Sequence, residues 1–166
     1  MTEIMVRFHV NNHPTAVKTD PTRTLLSVLR DDLKLKGAKE ACGQGDCGTC
    51  VVVMDGKAVN SCLILIAQVE GANVMTVEGL AEDGELHPLQ KHFIENWAFQ
   101  CGYCTSGMLM SAYALLLKNP KPTQDEIRVA ISGNLCRCTG YHEIMEAIEA
   151  SAVDLQAHIS RNTGNI

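Results

Sequence analysis

Residues 42–50 read "CGQGDCGTC", with Cys42, Cys47 and Cys50 spaced C-x4-C-x2-C around Gly43, Gly45 and Gly48. Three thiols in one short loop crowd too closely to be packing residues, and the glycines free the backbone to adopt positive φ. A loop of that kind can wrap a small anionic group and turn its N–H donors inward. A fourth cysteine, Cys62, follows after eleven intervening residues. The chain around the loop has to bring Cys62 back to it.

That spacing is the plant-type [2Fe–2S] arrangement. The alternative is a four-cysteine zinc site, which usually pairs two short C-x2–4-C hooks rather than three cysteines in one loop. The flanking patterns suit the cluster. "IMVRFHV" (4–10) and "TAVKT" (15–19) read as a hairpin turned by "NNHP", and "TLLSVLRDDL" (24–33) has helical apolar spacing with Thr24 as its cap. Asp55-Gly56 turns a second hairpin, and "NVMTV" (73–77) reads as a last strand. The cysteine loop then lies between a helix and a strand, and Cys62 arrives after the second hairpin, as in a ferredoxin-like β-grasp fold.

The chain has eight cysteines in 166 residues and a net charge of −5, the acid excess lying in its second half. It lacks a Lys/Arg cluster, which argues against nucleic acid as a partner. No stretch reads as a signal peptide, and "CLILIA" (62–67) is far short of the roughly 20 residues a membrane span needs. The expectation is a cytoplasmic protein whose thiols bind metal rather than form disulfides.

The second half reads as helix. Segments 87–99, 105–120, 123–132 and 141–155 carry helical patterning, with Pro88 near one start and a Thr123/Glu126 capping box at another. The tail 156–166 is polar and reads as loose, and the periodicity changes near residues 78–86. Four more cysteines sit here: Cys101 and Cys104 in "QCGYCTSG", and Cys136 and Cys138 in "GNLCRCTGY". Each pair precedes a predicted helix, so two loops at one end of a bundle can present four thiolates together. This spacing favours iron–sulfur over zinc only modestly. A Rieske-type site drawing on the histidines (9, 13, 87, 92, 142, 158) is a further alternative.

Taken together, "CGQGDCGTC", "QCGYCTSGM" and "GNLCRCTGYHEI" resemble the iron–sulfur subunit of the molybdenum hydroxylases, the xanthine oxidase and aldehyde oxidoreductase family. The resemblance covers roughly residues 4–155. It implies an α+β chain with a β-grasp [2Fe–2S] domain at 1–77 and an all-α four-helix-bundle [2Fe–2S] domain at 78–166. By the same resemblance Cys42, Cys47, Cys50 and Cys62 hold one cluster, and Cys101, Cys104, Cys136 and Cys138 hold the other.

The resemblance further implies that Gln100 and Cys138 face the pterin of a molybdenum cofactor on a large partner subunit. Without it, Gln100 reads as an amide satisfying nearby backbone. A medium, FAD-binding subunit or another acceptor would take the electrons. Two departures from the family pattern, Ala41 and Ser106, spare every ligand position. Arg137, between two cysteines, reads equally as a donor to a cluster or partner and as a solvated arginine; Met108 and Met110 read as core rather than cofactor contacts, and Asp46 as solvent-facing. No arrangement for substrate chemistry stands out. A free-standing two-cluster ferredoxin and a zinc-stabilised adaptor are the rival readings.

Overall fold

The computed structural model describes residues 3–163, with side chains described as far as Leu155. Strand β1 (Ile4–Val10) buries Val6, Phe8 and Val10 and exposes the residues between them. Asn11 and Asn12 both take positive φ, which matches the turn to strand twist, and β2 (His13–Thr19) returns antiparallel. Pro14 lies in β2, at the edge of the sheet, where a missing N–H does little harm.

The predicted helix 24–33 is present with a different winding. Thr24 Oγ1 accepts from Ser27 N (3.1 Å) and caps one α turn, α1 (Leu25–Ser27). Val28–Asp32 then continues as π-helix, closed by Leu33 N donating to Val28 O. Leu25, Leu26, Val28 and Leu29 are buried beneath the sheet's core face.

Strands β3 (Val51–Met54) and β4 (Lys57–Asn60) turn at Asp55-Gly56, both at positive φ. Strand β5 (Asn73–Met75) completes a mixed sheet of order β2-β1-β5-β3-β4, running parallel to β1 and antiparallel to β3. Strand β3 has two buried faces. Val52 points into the core with α1, whereas Val51 and Val53 join the core of the helical half.

The helical half comprises α2 (Pro88–Glu95), α3 (Thr105–Lys118), α4 (Gln124–Ile131) and α5 (His142–Thr163). Helix α2 packs on α5 and α3, α4 packs on α3 and α5, and α3 also lies against β3. The Thr123/Glu126 capping box forms in both directions, Glu126 N to Thr123 Oγ1 and Thr123 N to Glu126 Oε2. Such caps contribute about 1 kcal/mol. Met108 and Met110 are buried in the helical core, as the sequence indicates.

Two expected boundaries move. The segment 87–99 is helical only to Glu95. Trp97 turns to φ 54°, and Ala98 N reaches back to Phe93 O, closing the helix end. The tail expected to be loose instead extends α5 to Thr163, while residues 164–166 lie outside the described residues.

Candidate metal centres

The first cysteine loop takes the conformation its glycines permit, with Gly43, Gly45 and Gly48 all at positive φ. Cys42 and Cys47 are half-exposed, whereas Cys50 and Cys62 are buried. Donors turn toward the sulfurs. Gln44 N approaches Cys42 Sγ at 3.5 Å, and Thr49 Oγ1 lies 3.3 Å from Cys47 Sγ. Asn60 Nδ2 ties the loop to β4 through Gly45 O (2.9 Å).

The thiols associate two by two. Backbone donation from Gln44, together with the Cys47 thiol and neighbouring amides, pulls Cys42 down to about 6. Burial, reinforced by Cys50, pushes Cys62 up to about 11. Cys47 thus bears on Cys42, and Cys50 on Cys62.

The second set shows the same division. Cys101 lies on the stretch between α2 and α3, Cys104 is the residue that opens α3, and Cys136 and Cys138 precede α5. Cys138 Sγ and Cys101 Sγ are 3.7 Å apart. Partial burial, reinforced by the neighbouring Cys136, pushes the half-buried Cys104 up to about 12. Burial opposes ionisation of Cys136 too, but the Thr139 hydroxyl and amide, with the Cys138 amide, bring it down to about 7. The Cys136 loop is pinned by Tyr141, whose hydroxyl accepts from Cys136 N (2.8 Å) and donates to Asn134 O (3.1 Å).

Among the described residues no three His, Cys, Asp or Glu side chains converge on a single ion. Thiols grouped in pairs suit a two-iron group, in which each iron takes two protein ligands. Thiols sharing protons in pairs also release them when metal binds. The donor sets therefore fit [2Fe–2S] at both places.

The two loops touch. Leu135 N donates to Cys47 O (2.9 Å), and the buried Asn134 Nδ2 donates to Gly48 O (2.9 Å). Ser111 Oγ donates to Asn134 Oδ1 (2.7 Å) and fixes that amide. Gly107 is needed because a Cβ there would stand 2.0 Å from Gly48 O.

The histidines lie elsewhere. His87 caps α2, His92 meets Asp154, His142 meets Glu146, and His9 and His13 are exposed on the first hairpin. The side chain of His158 lies outside the described residues. Asp46 and Arg137 face solvent. Gln100 is exposed and donates through Nε2 to Cys138 O (3.2 Å), so the ordinary backbone role and proximity to the second set are both present. Sequence reading passed over Lys39, Thr49, Asn134, Thr139 and Tyr141. A hydroxyl two or three residues after a motif cysteine was the available signal for Thr49 and Thr139.

A chain with two adjoining four-thiol sets, one on a mixed sheet and one on helices, is an iron–sulfur protein of two domains. Residues 8–80 match the family described as 2Fe-2S iron-sulfur cluster binding domain, and residues 76–149 match the [2Fe-2S] binding domain family. The nicotinate dehydrogenase small FeS subunit of Eubacterium barkeri is 47% identical over 148 residues, spanning 89% of this chain and 94% of that protein. The nicotine 6-hydroxylase small subunit of Paenarthrobacter nicotinovorans is 50% identical over 145 residues, 87% of each. Among solved structures, a chain of quinoline 2-oxidoreductase from Pseudomonas putida 86 superposes with a TM-score of 0.90 at 41% identity, over 95% of this chain and 98% of that one. The chain belongs to the iron–sulfur small-subunit family of the molybdenum hydroxylases.

Proposed function

We propose that the chain is the electron-transfer subunit of a molybdopterin-dependent hydroxylase, passing electrons singly through two [2Fe–2S] clusters to FAD or another acceptor. The observation that carries this reading is the pairing of eight thiols into two adjoining sets. When bound, each cluster supplies a one-electron carrier, so a two-electron oxidation on a partner can leave in single steps. Cys42, Cys47, Cys50 and Cys62 would hold one cluster on residues 1–77. Cys101, Cys104, Cys136 and Cys138 would hold the other on residues 78–166, whose four helices form the bundle. The chain's own work is to fix the two sites, exclude water and set potentials through hydrogen bonds and charge.

The partners in this proposal are a large molybdopterin-binding subunit and a medium FAD-binding subunit. Ile94, Trp97, Phe99 and Leu135 expose apolar surface on segments next to the second cysteine set. Trp97 holds the left-handed conformation at 80% exposure, a placement that costs about 1–2 kcal/mol in an L-residue. An exposed aromatic on a closed helix end suits an anchor for a large subunit. Gln100 and Cys138 would face the pterin, which orders the flow: helical-domain cluster first, ferredoxin-like cluster second. The location proposed is the cytoplasm. Among the described residues no helix is long and apolar enough to cross a membrane.

Metal analysis tests the assignment. Iron and acid-labile sulfide should appear in equal amounts, about four of each per chain, with visible absorption. Colourless protein containing zinc would overturn it.

A further inference from the structure

Lys39 belongs by backbone to the first cysteine loop and by side chain to the second domain. Its N–H donates to Thr49 O (3.1 Å), and its carbonyl accepts from Thr49 Oγ1 (3.1 Å). From there the side chain crosses the seam. Nζ donates to Gly37 O and to Ser106 Oγ, both at 3.0 Å, and Ser106 is the second residue of α3. The ammonium also stands 5.9 Å from the ring centre of Tyr103, the residue before Cys104. Tyr103 returns the contact, its hydroxyl donating to Glu40 O (2.6 Å).

This is an unfavourable address for a cation. The first turn of a helix is the positive end of its dipole, where anions are stabilised and cations are not. The side chain is half-buried, and a lysine stem is long enough to reach water instead. Burial is the main influence lowering its pKa from 10.5. The Glu78 carboxylate opposes that most, the Arg30 guanidinium adds to it, and Cys104 opposes it. Glu78 is itself occupied, accepting from Gly37 N and Thr76 Oγ1 (2.7 Å each). Negative charge on the Cys104 side would balance the ammonium.

We propose that Lys39 is a positioning residue that fixes a positive charge beside the helical-domain cluster and raises that cluster's reduction potential. The inference rests on assigning Cys101, Cys104, Cys136 and Cys138 as its ligands. A four-thiolate [2Fe–2S] group is anionic, and reduction adds one further negative charge. A fixed cation therefore stabilises the reduced form more than the oxidised form. One domain thus supplies the charge that tunes the other domain's centre.

The test is a potentiometric titration of the assembled protein, followed by electron paramagnetic resonance, in wild type, Lys39→Gln and Lys39→Arg. Two signals in the wild type check the ligand assignment separately from the role of Lys39. The Lys39→Gln variant should lower the helical-domain potential enough to shift electron sharing between the centres about tenfold, or about 59 mV for one electron. The ferredoxin-like centre should move less, and Lys39→Arg should restore the wild-type value. An unmoved helical-domain potential in Lys39→Gln, or the same drop in Lys39→Arg, overturns the proposal. If Lys39→Gln fails to assemble, Glu78→Gln reads the pair from its anionic side. It should raise the helical-domain potential, and an unchanged value there also overturns the proposal.

Discussion

At Gly107 the third residue of α3 meets the carbonyl of Gly48, the residue after Cys47, with no room for a Cβ between them. Gly107→Ala would force α3 and the first cysteine loop apart against the buried Asn134 bridge. Overpacking of this kind costs about 1–3 kcal/mol. The unfolding midpoint of the loaded protein should fall by about 2–4 °C for each kcal/mol. A melting curve identical to wild type would mean the backbones yield without strain. Gln100 tests differently, because its side chain is exposed and holds only Cys138 O. Gln100→Ala should leave both clusters assembled yet weaken molybdenum cofactor retention or slow cluster reduction by substrate in anaerobic rapid mixing. Full molybdenum content with wild-type reduction would remove Gln100 from the pterin contact.

At the scale of elements, helix starts were legible and helix ends less so. The Thr123/Glu126 box is a local pattern, complete within four residues, and it forms as read. The end of α2 is not local in that sense. Trp97 takes the position where glycine is usual, and no propensity marks it. Residues acting across the seam were equally hidden: Asn134 reaches Gly48, and Lys39 reaches Ser106, across 86 and 67 positions. Cysteine spacing was legible because each set is built from short hooks. The pairing of thiols between hooks needed the fold.

Helix α2 also carries a pH dependence. His87 Nδ1 accepts from Leu89 N (3.2 Å), and its ring meets Tyr113 edge-on. Burial lowers its pKa below 6.5, with Glu82 opposing. The unfolded chain therefore binds the proton at higher pH than the folded one. The neutral imidazole's contribution is complete above the unfolded value and is lost as pH falls through the folded value. Between about pH 7 and pH 5 the unfolding midpoint should fall, and His87→Asn, which keeps a cap acceptor, should flatten that slope. An equal slope in the variant would place the dependence on other groups.

At the scale of the whole molecule, the two halves are joined through shared structure rather than a linker. Strand β3 gives Val52 to one core and Val51 and Val53 to the other, and Leu135 N binds Cys47 O directly between the cysteine loops. A fixed separation of two centres is what single-electron transfer between them requires. The seam makes the sites neighbours, while the two cysteine sets remain separate in sequence. Electron paramagnetic resonance of the reduced, assembled protein reads that separateness. Wild type should show two [2Fe–2S] signals. Cys47→Ser should weaken one and spare the other, and Cys136→Ser should do the reverse. Loss of both signals together from either variant, in protein that remains folded, would contradict two independent clusters.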